Sequence, residues 1–273
     1  MKLPAALEEF GFAKTRRAVA ALALAFFVTL YLMLAFNAPE GWAAAFVALS
    51  LCYLVAFLGV TADWFWGRWF ASGLGWSGFM VAVLTTVMMG WMWPLVIYGG
   101  LHGLVVLLLL GKKMTAIYDL QEGWRERFGM DEFGVARLRK TVTRTAASLP
   151  SVILWALGPK DPGQGMVHTL FTIGLGVLAT GGLVAVLRMR TWGLLAIGSA
   201  AVALMVHSGL HARVPEFTGA LPFLMNVTTT RALGGLPGLV SLLALTSSVA
   251  GAALLLSFAP FAAPIFRTLR HRR

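Results

Sequence analysis

Residues 18–36 read AVAALALAFFVTLYLMLAF, nineteen positions without a formal charge, and two further runs, Trp42 to Val60 and Leu236 to Ala259, are equally uncharged. A helix rises about 1.5 Å per residue and the hydrocarbon core of a bilayer is roughly 30 Å thick, so about 20 such residues are enough to cross it. Only 12% of the 273 residues are charged and 59% are hydrophobic. A water-soluble surface needs about a quarter to a third charged side chains. The expected solvent is therefore lipid, and the predicted fold is all-α: one polytopic transmembrane helix bundle over residues 1–273, with about eight crossings (six to eight) and one cytoplasmic helical loop.

Charge supplies the orientation. The net charge is +11, but the basic residues flank apolar runs rather than lining a groove, which excludes nucleic acid as a partner and predicts attraction to anionic lipid headgroups. Leu3, Leu7 and Phe10 stand at helical spacing opposite Glu8 and Glu9, so residues 1–17 read as a surface helix ending in Lys14, Arg16 and Arg17. Those bases place the N-terminus in the cytoplasm, and the turn Asn37-Ala38-Pro39-Glu40-Gly41 returns the second span. Between 61 and 111 the apolar sequence is nearly unbroken. A hairpin near Gly90 to Pro94 divides it into two spans, because the basic loop 112–147 belongs on the same side as residue 61. Ser148 to Leu157 is short for a span. Counting it, together with Thr145 to Ala147, as a short or re-entrant crossing, followed by Met166 to Leu187, Trp192 to Leu210 and Leu236 to Ala259, brings Arg188, Arg190 and the arginine-rich C-terminus inside. The expected location is a bacterial inner membrane with both termini cytoplasmic.

Cys52 stands alone inside the second run, so it reads as a small packing residue and no disulfide framework exists. Four histidines, His102, His168, His207 and His211, fall in or near predicted spans, where an ionisable group is a functional candidate because burying its charge is costly. His207 and His211 stand four apart on one helix face and can chelate a metal, with Glu216, His168 or Asp161 completing the shell. Two histidines on facing helices, His102 among them, can instead ligate a haem b iron. The plainer reading is a neutral histidine hydrogen-bonded to a carbonyl. The block Asp63-Trp64-Phe65-Trp66-Gly67-Arg68-Trp69-Phe70 reads as an anchor at the headgroup boundary, with Asp63 and Arg68 facing headgroups or each other.

Two segments resemble known families. Gly75-Trp76-Ser77-Gly78 resembles the G-x-S-G sequence around the nucleophile of rhomboid-type intramembrane proteases, which implies Ser77 as nucleophile with His168 or His207 as base. Ordinary helix packing is the alternative, since small residues let helices approach. Asp131 to Pro150 resembles the loop by which importer permeases dock an ATPase, although Arg137 stands where that pattern has glycine and Glu132-Phe133 where it has two alanines. That resemblance nominates Asp131, Glu132, Arg137 and Arg139 for docking a cytoplasmic partner. With few ionisable groups in the spans and many small residues, such as Gly174, Gly176, Gly181, Gly182, Gly193 and Gly198, the expected role is a non-catalytic membrane subunit with protein partners in a transport or assembly complex. A haem- or metal-binding redox subunit is the second expectation and an intramembrane serine protease the third.

Overall fold

The computed structural model describes residues 5–38, 41–127, 132–157, 165–187 and 190–211, with Ala252 and Leu255 as isolated positions. The described residues fold as α-helices: α1 (Ala5–Asn37), α2 (Ala43–Thr61), α3 (Gly67–Met89), α4 (Trp93–Leu109), α5 (Lys112–Tyr118), α6 (Glu122–Arg127), α7 (Glu132–Leu157), α8 (Gly165–Leu187) and α9 (Trp192–His211). Three stretches, Phe12–Asn37, Ala43–Thr61 and Gly67–Val87, are long and apolar enough to cross a membrane. The pair α4 and α5, bent by 74° where they join, is a fourth candidate.

Helical spacing of small and aromatic residues assembles the first four helices. On α1, Ala20, Leu24, Phe27 and Tyr31 recur every three or four residues and are buried; on α2, Ala45, Leu49, Tyr53, Ala56 and Val60 do the same. These stripes face each other, and α1 to α4 close into a ring in which each helix touches the next and α1 returns to α4. The outer faces are no less apolar. Leu22, Phe36, Val87 and Leu107 are among the side chains left exposed, at 69%, 82%, 75% and 65%, an arrangement suited to lipid and unsuited to water. Because lipid offers no hydrophobic gain on helix association, the contacts rely on close backbone approach. Gly73 lies against the Thr143 carbonyl and Ala146 of α7, and Gly75 lies against Val106 of α4.

The odd-numbered starts and even-numbered ends of this ring meet at one end. Arg16 on α1 donates to the Leu107 and Leu110 carbonyls at the end of α4, at 2.9 and 2.5 Å. Arg17 pairs with Asp63 in the α2–α3 turn, a residue held at φ 53°, the left-handed region that aspartate enters more readily than most. Gln121 donates to the Asp63 carbonyl at 2.8 Å, and Tyr118 to the Val60 carbonyl at 2.8 Å. Burial pushes the Tyr118 hydroxyl above its ordinary range, so it remains a donor. The hairpin expected near Gly90 to Pro94 is present, with Gly90 at φ 85° and Pro94 inside the first turn of α4. At 17 residues α4 rises about 26 Å, short of the hydrocarbon thickness. The chain then turns through Gly111, at φ 105°, into α5.

Two boundaries differ from the sequence reading. The expected surface segment 1–17 and the first span form one uninterrupted helix from Ala5 to Asn37, because no glycine or proline turn separates them and Ala13 packs on Met114 and Tyr118 of α5. Similarly, the loop 112–147 and the segment Ser148 to Leu157 share α7, which runs through Pro150 without ending. Proline inside a helix removes one backbone donor, but α7 is packed on α3, α2 and α8, and such contacts hold a helix through the break. The expected span 236–259 lies outside the described residues, apart from Ala252 and Leu255.

α8 and α9 form an antiparallel pair on the far side of α7. Their contact is glycine-to-glycine: a Cβ on Gly182 meets the Gly193 carbonyl at 3.0 Å, and one on Gly193 meets Ala185 Cβ at 2.8 Å. Gly174 meets nothing within 4 Å among the described residues. Replacing Gly182 or Gly193 by leucine is expected to cost about 1–3 kcal/mol by overpacking, whereas Gly174→Leu leaves stability near wild type. Thermal unfolding of the detergent-solubilised variants checks this ordering.

Candidate functional site

Two polar clusters are buried in the bundle. The first is aromatic and lies at mid-height between α1, α2 and α4. His102 is fully buried, and its Nδ1 sits 2.8 Å from the Tyr98 carbonyl one turn earlier. In the neutral ring that nitrogen carries the proton and donates it, leaving Nε2 to accept the Tyr53 hydroxyl at 2.7 Å. Phe27 covers one side of the imidazole, with ring centroids 3.8 Å apart. Gly78 of α3 lies against the ring where any Cβ would collide with it. A Tyr31–Tyr98 hydroxyl pair at 2.8 Å and a Ser50 hydroxyl donated to the Val28 carbonyl at 2.9 Å tie the same helices together. Both imidazole nitrogens are thus engaged within the protein.

The second cluster is ionic and sits where the helix ends converge. Arg68 and Trp69 occupy the first turn of α3, and Asp119 follows directly on the last residue of α5. Asp119 Oδ2 accepts from Arg68 Nη2 at 2.8 Å and from Arg139 Nη1 of α7 at 3.4 Å, while Oδ1 accepts from Trp69 Nε1 at 2.8 Å. Arg68 Nη1 also reaches the Thr115 hydroxyl at 3.1 Å and the Leu109 carbonyl at 3.3 Å. The Arg68 and Asp119 side chains are 8% and 3% exposed, so this is a buried pair; Arg139, at 42%, is not. Arg68 Nε is buried without a hydrogen-bond partner among the described residues. A cavity of about 390 Å³ opens beside the cluster, walled by α3, the α4–α5 corner and α7.

The structure distributes the sequence-nominated residues unevenly. Asp63 and Arg68 do not face each other: the first pairs with Arg17 and the second with Asp119. Within the aromatic block Trp69 is 1% exposed and Trp64 43%, so one is a core residue and the other lies at the protein surface. Gly75 and Gly78 of the G-x-S-G sequence are contact points for α4, and the histidine beside them is His102. His168 lies on α8, and His207 and His211 on α9, but their side chains, like Asp131, Asp161 and Glu216 entirely, fall outside the described residues. Among the described residues no three His, Cys, Asp or Glu side chains gather as a metal site. Glu132 and Arg137 are exposed on α7, whereas Arg139 turns toward Asp119. Asp119, the centre of the ionic cluster, carries no motif; in the sequence it is one of five acids, with Glu122, Glu126, Asp131 and Glu132, among the bases of the 112–147 segment.

No known protein family, curated protein or solved structure matches this chain.

Removing one member of a buried ion pair leaves the other uncompensated, at a cost of about 3–5 kcal/mol. Asp119→Ala is expected to lower stability by that order, and Tyr53→Phe, which leaves His102 Nε2 unsatisfied, by about 1–3 kcal/mol. Denaturant titration followed by helical circular dichroism separates the two.

Proposed function

We propose that this protein is a non-catalytic integral membrane subunit of a transport or assembly complex, seated in a bacterial inner membrane with both termini and the 112–147 segment in the cytoplasm. In this reading the chain crosses about eight times: α1 to α4, the apolar end of α7, α8, α9 and the 236–259 segment. The gathering of Arg16, Arg17, Arg68 and Arg139 at one end of the bundle supports that orientation, since cytoplasmic boundaries carry the excess of basic residues.

The observation that carries the subunit reading is the form of α7. Its first half bears Glu132, Arg137, Arg139, Lys140 and Arg144; its second half buries Leu149, Val152 and Ile153 in the bundle. One continuous helix thus joins a charged, accessible surface to the packed core, held at its root by Arg139 on Asp119. A partner pressing on Glu132 and Arg137 meets a rigid element. The Tyr31–Tyr98, Tyr53–His102 and Arg68–Asp119 contacts inside the bundle, by contrast, join one helix to another.

Purification of the tagged protein from its native membranes in mild detergent tests this. A stoichiometric partner is expected with the wild type and lost, by about tenfold or more, with the charge-reversed variant Arg137→Glu. Recovery of the wild-type protein alone, as a single homogeneous species, contradicts the proposal.

A further inference from the structure

The cavity beside Asp119 has an uneven lining. α7 contributes Arg139, Lys140 and Arg144, and α3 contributes Arg68 at the level of the helix ends and Trp76 two turns farther along. Residues 68, 72 and 76 share one face of α3, so the cavity extends over roughly 12 Å from the charged end toward the apolar interior. Leu109 and Leu110 line it beside Gly111. One wall is therefore cationic and the other aliphatic and aromatic.

Both Asp119 oxygens are already engaged by Arg68, Trp69 and Arg139, and a single carboxylate balances one of those two guanidinium charges. Lys140 is exposed on the cavity side of α7. Arg68, more than nine-tenths buried and part of the lining, has an Nε without a hydrogen-bond partner among the described residues. Several donors converging from two helices suit a group with several acceptor oxygens and a full negative charge, which is the chemistry of a phosphate. Trp76, 41% exposed, offers an aromatic face at the inner end of the cavity, suited to an apolar group.

We propose that this cavity binds a phosphate-bearing anion at the membrane boundary, with Arg139, Lys140 and Arg68 around the phosphate and the apolar remainder of the molecule alongside Trp76. The site does not depend on the docking role of α7, because Glu132 and Arg137 are not part of its lining. It distinguishes itself from general attraction to anionic lipid by naming which cations matter.

The test uses the full chain in phosphatidylcholine nanodiscs, with phosphatidylglycerol added in one series and water-soluble glycerol phosphate in the other. Native mass spectrometry reads retention of each anion. Lys140→Gln and Arg139→Gln are compared with Arg137→Gln, a control that removes the same charge from the same helix outside the cavity. Retention weakened about tenfold in the Lys140 and Arg139 variants, and unchanged in the control, supports the site. If this holds for phosphatidylglycerol the source is lipid; if it holds for glycerol phosphate the source is soluble. Equal weakening in all three variants, or retention of neither anion by the wild type, overturns the proposal. Should Arg139→Gln unfold the protein by releasing Asp119, the comparison of Lys140→Gln with Arg137→Gln decides alone.

Discussion

Asp119 holds three helices that sequence order keeps far apart. Its carboxylate takes the guanidinium and indole donors from the first turn of α3 and, more loosely, a guanidinium from α7, while standing itself at the end of α5. A charge taken out of water is tolerated only when paired and hydrogen-bonded. Once Arg68 is buried at the mouth of the bundle, the end of α5 has to come to it, and the 74° turn after α4 is the geometry that brings it there. The α2–α3 turn, the corner at Gly111 and the root of α7 are all positioned by that requirement.

The same requirement acts deeper in the bundle, without charge. Hydrocarbon supplies no hydrogen bonds, so His102, Tyr53, Tyr31 and Tyr98 satisfy one another and in doing so lock α1, α2 and α4. Glycines then set the distances. Gly73, Gly75 and Gly78 place α7, Val106 and the imidazole directly against the α3 backbone, and Gly182 with Gly193 does the same for α8 and α9. The bundle is polar where helices must meet in one register and apolar toward lipid.

Much of this architecture was readable from the residues. Uncharged runs of about the hydrocarbon thickness located α1 and α2, and the turn expected near Gly90 to Pro94 separates α3 from α4. The boundaries were harder. Nothing local tells a surface helix from the start of a span when no turn former intervenes, so α1 extends farther toward the N-terminus than its apolar run. Ser148 to Leu157 is too short to span by itself, and its continuity with the helix begun at Glu132 shows only in the packing of α7 on α3, α2 and α8. The ionic cluster was the least legible part, because Arg68 and Asp119 are 51 residues apart and pairing over that separation leaves no periodic trace. Aromatic density suggested an anchor, whereas Trp69 is buried as a hydrogen-bond donor to the cluster.

In the proposed arrangement the start of α1, the end of α2, the start of α3 and the α4–α5 corner lie together on one face of the membrane, with the α3–α4 hairpin on the other. Single cysteines at Lys14, Thr61, Lys112 and Trp91, introduced into a Cys52→Ser background and labelled with a membrane-impermeant maleimide, measure this directly. Positions 14, 61 and 112 are expected to react from one side and position 91 from the opposite side. Reaction of positions 14 and 112 from opposite sides would contradict that arrangement, because the helix ends joined through Arg16 and Asp119 would then be separated by the full thickness of the bilayer.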